Sequence, residues 1–355
     1  MSVASRCVRP AKSSVYEATM CAWYTSSRMD VITIGDTTVD EFIRLKDARV
    51  SCDINSENCT ISMKWGDKIP YEFAELIPAV GNAANAAVAS ARLGLKTAFI
   101  SNVGKDAYGD QIIETFRKES VSTDYIRQHA DVKTNHHYVL WYESERTILI
   151  RHEAFPYAFP EITDAPKWIY LSSMGEQSET LHYDVIAWLK NHPETKLAFQ
   201  PGTFQMQMGK EKLTELYGLT ELLACNKEEA ERILGIGESA IAPLLDAMHA
   251  LGPKIVIITD GPKGAYASDG TQKLKIPMYP DLKEPVDRTG AGDACTSTIV
   301  AALCLGKSLE EALLWGPINS MAVVQDIGAQ RGLLEREALE RYLAEAPSEY
   351  RVTPL

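Results

Sequence analysis

The run Asp287-Arg288-Thr289-Gly290-Ala291-Gly292-Asp293-Ala294 sets two glycines and an aspartate at the head of "CTSTIVAALCLG", an apolar stretch with helical spacing. The start of a helix leaves backbone N–H groups unpaired and carries a partial positive charge, so it suits an anion. Glycines at that point let the anion approach the backbone closely, which a Cβ would prevent. Gly290, Ala291 and Gly292 therefore read as a cradle for a phosphate, and Asp293 lies in the first helical turn beside it. Taken alone, Thr-Gly-Ala-Gly also fits an ordinary turn followed by an acid that the helix dipole favours.

Other candidate motifs carry less. Gly306-Lys307-Ser308 looks like the end of a P-loop, but Ala301 stands where its first glycine must be, so the segment reads as a helix stop and restart. Gly235-Ile236-Gly237-Glu238-Ser239-Ala240 fits a dinucleotide fingerprint in letters, yet it follows the helical run "KEEAERIL" instead of a strand. A nicotinamide oxidoreductase is disfavoured on that ground. His136, His137 and His152 have no metal-ligand spacing around them and are expected at the surface or in packing.

The elements that must position Asp293 follow from hydrophobic periodicity. "DVITIGDTTVD" (30–40) is a short apolar strand whose carboxyl end carries Asp36 and Asp40, and ligands of open α/β sheets gather at such ends. Residues 81–94 form an Ala-rich helix stopped by Gly94, followed by a strand at 96–101 and a helix near 107–119. Buried strands follow at 168–172, 196–200, 221–225 and 254–261, and helices at about 291–305, 309–325 and 334–345. This alternation predicts an α/β chain with a mostly parallel sheet covered on both faces. Two excursions, 41–77 and 136–151, have the alternating pattern of half-buried strands, and the second reads as a hairpin. Their apolar residues, including Ile61, Met63, Trp65, Val139 and Trp141, are expected to cover a pocket or a second subunit.

Composition narrows the function. The chain has 355 residues, 45% of them hydrophobic and 24% charged, and no stretch approaches the roughly 18 unbroken apolar residues of a membrane span. The net charge of -12 argues against a nucleic-acid or anionic-membrane surface and leaves a small-molecule partner. The 7 cysteines are scattered, with no C-x-x-C, and are expected as reduced thiols in a cytoplasmic protein. Residues 1–28 hold four basic residues and one acidic, Glu17, and are expected to be a disordered N-terminal extension before a single domain over 29–355.

The longer pattern D-R-T-G-A-G-D-A resembles the C-terminal signature of the ribokinase-like carbohydrate kinases, the PfkB family, and the resemblance extends over essentially all of residues 30–345. "VGNAANAAVASARLG" (80–94) is similar to that family's N-terminal signature, although Val80 stands where a second glycine is usual; "VGKDAYGD" (103–110), "NKEE" (226–229), "TDGPKG" (259–264) and "GAQ" (328–330) match further family elements in order. "FQPGTFQ" (199–205) resembles the family's strand-end segment with Gln200 substituted, and Arg288 departs from the commoner Thr or Ser.

The resemblance implies a Rossmann-like three-layer α/β/α sandwich with a small β-sheet lid, formed here by the two excursions. It implies an ATP- and Mg²⁺-dependent kinase acting on a hydroxymethyl group of a sugar, or in the alternative of a nucleoside, with Asp293 as base and Gly290-Ala291-Gly292 stabilising charge on the phosphoryl group. By the same resemblance Asp36, Asp40, Gly81, Asn82 and Asn85 would bind the acceptor. Asn226, Thr259, Gly261, Gly264 and Asn319 would face the nucleotide, and Glu229 would hold Mg²⁺ through water. Asp287 would help bind a monovalent cation such as K⁺, and the lids of two subunits would pack into a homodimer. Asn226 with Glu229 also fits a plain helix cap, and Asp287 a plain turn residue. A binding protein that kept the fold and lost catalysis is the rival from another class, disfavoured because Asp293 and both glycines are intact.

Overall fold

The computed structural model describes residues 28–52, 59–143 and 145–355. Its centre is β1 (Val31–Ile34), three apolar residues and Thr33, all buried because both faces are covered. Successive side chains point to opposite faces of a sheet. Val31 accordingly packs into one apolar cluster with Tyr170 and Ala224, while Ile32 and Ile34 pack into another with Leu171 and Phe199.

From β1 the chain climbs into a lid through β2 (Thr38–Leu45), β3 (Arg49–Ser51), β4 (Thr60–Ser62) and β5 (Tyr71–Val80), then returns through α1 (Asn82–Arg92) to β6 (Thr97–Gly104). Next come α2 (Ala107–Lys118), the short β7 (Val121–Ser122) and β8 (Ile126–His129), and the lid hairpin β9 (His136–Tyr142) and β10 (Glu145–Leu149). The second half alternates: β11 (Trp168–Leu171), α3 (Glu179–Asn191), β12 (Lys196–Phe199), α4 (Thr203–Met208), α5 (Thr214–Leu219), β13 (Thr220–Asn226), α6 (Lys227–Leu234), α7 (Ile241–His249) and β14 (Ile255–Thr259). It closes with β15 (Ala265–Ser268), β16 (Lys273–Ile276), α8 (Ala291–Cys304), α9 (Leu309–Val323), α10 (Arg336–Ala344) and β17 (Thr353–Pro354).

The large sheet runs β17-β16-β15-β14-β13-β12-β11-β1-β6-β7. Strands β6 to β14 in this order are parallel, and β15 to β17 extend them as an antiparallel edge. Chain order reverses at β1, which pairs β6 on one side and β11 on the other, so the carboxyl ends of β1 and its neighbours open onto a crevice. Helices α1, α8 and α9 cover one face and α3, α5, α6 and α7 the other, giving the expected α/β/α sandwich. Ser308 caps α9 by accepting from Glu311 N, with Glu311 Oε2 accepting from Ser308 N, so the lysine of Gly306-Lys307-Ser308 belongs to a helix restart as expected.

The lid is a four-stranded sheet in the order β10-β9-β2-β5. Asp40, Phe42 and Arg44 of β2 stand beside His137, Val139 and Trp141 of β9, and Phe42 and Val139 are buried. The expectation that Ile61, Met63 and Trp65 share this face is corrected. Ile61 lies in a separate hairpin of β3 and β4, and Met63 and Trp65 are exposed, because β4 pairs only with β3.

Two further expectations change. Cys52 directly follows β3 and Cys59 directly precedes β4, and they form a disulfide, since the antiparallel pair brings them together; the cysteines are not all reduced, and the argument from them for a reducing compartment falls away. Residues 1–27 of the expected extension lie outside the described residues. Arg28 belongs with the domain, donating to the carbonyls of Ala165 and Pro166. Among the described residues no helix is long and apolar enough to cross a membrane.

Arg92, at the C-terminal end of α1, donates to both carboxylate oxygens of Glu119 at 2.8 and 2.7 Å and to the carbonyls of Gln330 and Leu333 at 2.9 and 2.7 Å. It thereby ties α1 to α2 and to the loop after α9. Arg92→Ala is expected to lower unfolding free energy by about 2–3 kcal/mol, because several half-buried partners lose a charged donor at once. Urea denaturation checks this; an unchanged midpoint would contradict the role.

Candidate active site

Asp293 is the most constrained polar group at the crevice. It lies in the first turn of α8 and is 9% exposed. Burial pushes its carboxyl above the ordinary carboxylate range, opposed by hydrogen bonds from Asn85, Gln200 and Asn82. Asn82 Nδ2 and Gln200 Nε2 both donate to Oδ1 at 2.9 Å, and Asn85 Nδ2 donates to Oδ2 at 2.8 Å. An ionised carboxylate has about four acceptor positions, so one remains on Oδ2.

Two of the three amides, Asn85 and Gln200, are themselves oriented. Asn82 and Asn85 stand one turn apart on α1, whose small residues Ala83, Ala84, Ala86 and Ala87 are buried. Asn85 Oδ1 accepts from Gln330 Nε2 at 2.9 Å, so its NH₂ end must face Asp293. Gln330 also donates to the carbonyl of Ala79, and its own carbonyl accepts from Arg92. Gln200 Oε1 accepts from the Tyr170 hydroxyl, which turns the Gln200 NH₂ toward Asp293 in the same way. Gln200 follows the end of β12 and was legible in the sequence only as a departure from pattern; the 93 residues separating it from Asp293 hide the pairing.

Gly290 and Gly292 have different reasons to be glycine. Gly290 has φ +77°, and a Cβ there would strike Ala329. Around the Cβ position of Gly292 nothing lies within 4 Å, so that glycine is needed only by something the pocket receives. Ala291 and Gly292 line both of two adjoining cavities. One, of about 510 Å³, is bordered by Thr259, Gly261 and Gly264 from the turn after β14 and by Ser320. The other, of about 210 Å³, is bordered by Asn82, Gln200, Asn226, Glu229 and Asp293. The helix start thus stands where a long cleft meets a small polar pocket, and Arg288 borders both.

Asn226 and Glu229 form a reciprocal cap on α6: Asn226 Oδ1 accepts from Glu229 N at 2.8 Å and Glu229 Oε2 accepts from Asn226 N at 2.9 Å. The second carboxylate oxygen of Glu229 is left for the pocket. Burial, and after it the charge of Asp293, raises the Glu229 carboxyl above its ordinary value. Asn319 is corrected: it is fully buried, donates to Thr298 Oγ1 and accepts from Leu334 N, so it ties α9 to α8 and to the segment before α10 and does not border the cleft.

The remaining expected residues lie at the lid side. Gly81 caps α1, and a Cβ on it would meet the Asp36 carbonyl at 2.7 Å. Asp36 accepts from the Tyr157 hydroxyl at 2.9 and 2.7 Å and from Gly175 N at 2.8 Å, whereas Oδ1 of Asp40 is buried without a hydrogen-bond partner. His137 and His152 are partly exposed and packed ring against ring, in keeping with the expected packing, and they also stand beside these two carboxylates. Asp287 Oδ1 accepts from Thr289 N at 3.0 Å and Thr289 Oγ1 at 2.6 Å, Oδ2 accepts from Gly328 N at 2.9 Å, and the guanidinium of Arg146 on β10 lies 3.5 Å from Oδ1.

Comparison with known proteins bears on the family and the fold. Residues 78–336 match the family described as pfkB family carbohydrate kinase. The chain is 28% identical over 288 residues to a ribokinase of Bacillus subtilis, covering 79% of this chain and 92% of that protein. In fold it is similar to the nucleoside kinase of Methanocaldococcus jannaschii, with a TM-score of 0.74 at 20% identity, covering 90% of this chain and 100% of the other. It is equally similar to an Arabidopsis thaliana ribokinase complexed with ribose and ATP, with a TM-score of 0.74 at 23% identity, covering 89% and 99%.

The two glycines give separable expectations. Gly290→Ala should destabilise the fold by about 1–3 kcal/mol through backbone strain and the contact with Ala329. Gly292→Ala should leave stability unchanged or raise it by roughly 0.5–1 kcal/mol, as alanine does in a helix, while lowering turnover at least about tenfold. Thermal melting paired with steady-state kinetics checks both, and a Gly292→Ala enzyme working at the parent rate would return that glycine to a turn-only role.

Proposed function

The chain belongs to the pfkB family of carbohydrate kinases, phosphotransferases with an alcohol group as acceptor, and from that premise we propose that it transfers the γ-phosphoryl group of ATP to a hydroxymethyl group of a sugar. The observation that carries the proposal is the single acceptor position left on Asp293, beside the open helix start at Gly292. A substrate hydroxyl placed there donates to Oδ2. Phosphoryl transfer passes through a loose transition state, so the chain mainly aligns groups and steadies spreading charge. The hydroxyl becomes acidic only as its oxygen bonds to phosphorus, and Asp293 then takes its proton. Burial helps by raising the carboxyl's proton affinity, and the three amides keep it ionised and aimed beforehand.

The adenine nucleotide lies in the larger cleft between the turn at Thr259 to Gly264 and Ser320, with its phosphates reaching the N–H groups at the start of α8 and the cation of Arg288. Asn226 faces those phosphates from the smaller pocket. The residues fit Mg²⁺, which keeps waters and prefers one or two carboxylates with substrate phosphates. Glu229 supplies a carboxylate oxygen beside Asp293, and among the described residues no cluster of three metal ligands competes for the role. When bound, the ion would neutralise phosphate charge during transfer.

A monovalent cation does not fit at Asp287. Its carboxylate accepts three hydrogen bonds, two from Thr289 and one from Gly328, and the guanidinium of Arg146, 3.5 Å from Oδ1, already supplies a positive charge beside it. Parent activity should therefore agree within about twofold in potassium and in tetramethylammonium chloride of equal ionic strength, and several-fold activation by potassium would contradict this. Exposed Leu76, Tyr138 and Leu149 on the lid are the surface through which we place the subunits of a homodimer.

The acceptor is tested by ATP consumption against ribose, fructose, 2-keto-3-deoxygluconate, fructose phosphates, adenosine, inosine and cytidine. A sugar should be preferred; preference for a nucleoside would move the acceptor class. Asp40→Ala should raise the KM for that acceptor by about 10–100-fold, as expected for loss of hydrogen bonds to a charged group, and leave the KM for ATP within about twofold. Equal effects on both constants would place Asp40 outside the acceptor site.

A further inference from the structure

Two histidines that the family signature does not include stand against the two carboxylates at the base of the lid. His137 Nδ1 lies 3.4 Å from Asp40 Oδ1, and His152 Nδ1 lies 3.5 Å from Asp36 Oδ2. The imidazole centroids are 5.3 Å apart, and Phe204, in the first turn of α4, meets the His152 ring edge to face at 5.5 Å. The four side chains come from three places: Asp36 from the end of β1, Asp40 and His137 from adjacent lid strands, and His152 from the segment leaving the lid.

This cluster is not completed by the protein. Asp40 Oδ1, His137 Nε2 and His152 Nδ1 are all buried without a hydrogen-bond partner. Leaving such groups unsatisfied costs about 1–3 kcal/mol each, so native structures pair nearly all of them with protein, water or ligand. Asp40 is only 7% exposed. The cluster also adjoins the chemistry, because the Asp36 carbonyl abuts Gly81, one residue before the Asn82 that holds Asp293.

A hydroxyl group matches the open atoms, which are Asp40 Oδ1 and the two imidazoles; Asp36 Oδ2 already accepts from Tyr157 and Gly175 and holds its place beside His152. The hydroxyl hydrogen donates to the Asp40 carboxylate, which can only accept, and a hydroxyl oxygen accepts from an imidazole N–H. An apolar or anionic group cannot answer both. We propose that His137 and His152, paired with Asp40 and Asp36, are specificity-determining residues that read hydroxyls of the acceptor away from the reacting one, with Phe204 fixing the His152 ring. The acceptor class is a polyol ring carrying at least two free hydroxyls. This rests on the reading of the site as a kinase acceptor pocket and adds the residues that select the acceptor.

The test uses the full chain and ATP, with D-ribose and its 2-deoxy and 3-deoxy analogues, or with adenosine and its 2′- and 3′-deoxy forms if the parent prefers the nucleoside. His137→Ala and His152→Ala should each raise acceptor KM about tenfold or more while ATP KM and kcat stay close to the parent. Removing the hydroxyl that a histidine reads should then add little in that variant, although the same deoxy analogue is penalised by the parent. A structural role gives additive penalties. His137→Asn and His152→Gln, which retain a donor, should recover part of the loss and stand in for any alanine variant that fails to fold. Unchanged acceptor KM or fully additive penalties in folded variants overturns the proposal while the kinase reading stands. A parent that phosphorylates neither class overturns the kinase reading, and this proposal with it.

Discussion

Asp293 is a carboxylate taken out of water, and the geometry around it follows from the need to keep it charged and aimed. Burial pushes its carboxyl toward the protonated form, in which it could not accept a substrate proton. Three amide donors counter that tendency. An amide can present either end, so each donor needs a reason to show its NH₂. Gln330 supplies that reason for Asn85, and Tyr170 for Gln200, by capping the amide oxygen. The constraint then reaches outward through Arg92, which holds the Gln330 carbonyl and ties it to Glu119.

The fold can meet this demand because it brings distant segments to one edge. Strand order reverses at β1, so the ends of β1, β12, β13 and β14 open on the same crevice. Asp36, Gln200, Asn226 and Thr259 all stand at or just beyond those ends. The helix α1 supplies two donors because alanines on its other positions allow close packing against α8. The lid adds a roof whose inward polar groups, Asp40, His137 and Arg146, face the crevice from above. On the proposed function, catalytic positioning falls to the sandwich, and the lid contributes Asp40 and His137 to acceptor choice.

What could be read from the sequence was local. The glycines and Asp293 at a helix start, the Ala-rich helix with Asn82 and Asn85, and the β-α alternation all depend on neighbours within one or two turns, and the structure retains them. Contacts set by crossover connections were not legible. Gln200 is 93 residues from Asp293, and nothing beside it in sequence shows that it points there. The same holds for Arg146 and Asp287, and for two histidines that meet only when β9 is paired and the chain leaves β10. Asn319 differs in the opposite way: the family resemblance placed it at the nucleotide, but its helix faces α8 and uses both ends of the amide internally. Cys52 and Cys59 looked scattered because pairing across a hairpin leaves no C-x-x-C spacing.

The most direct measurement of the account is the turnover of Asp293→Asn with saturating ATP and acceptor, alongside its KM for ATP. The substitution keeps the size of the side chain, removes its charge and its basicity, and sets an amide group against donors built for a carboxylate. The account predicts a fall in kcat of about 10²–10⁴, the range for losing a positioned general base, with nucleotide affinity retained. Turnover at the parent rate would contradict it, because the amide cage would then be holding a residue the reaction does not use.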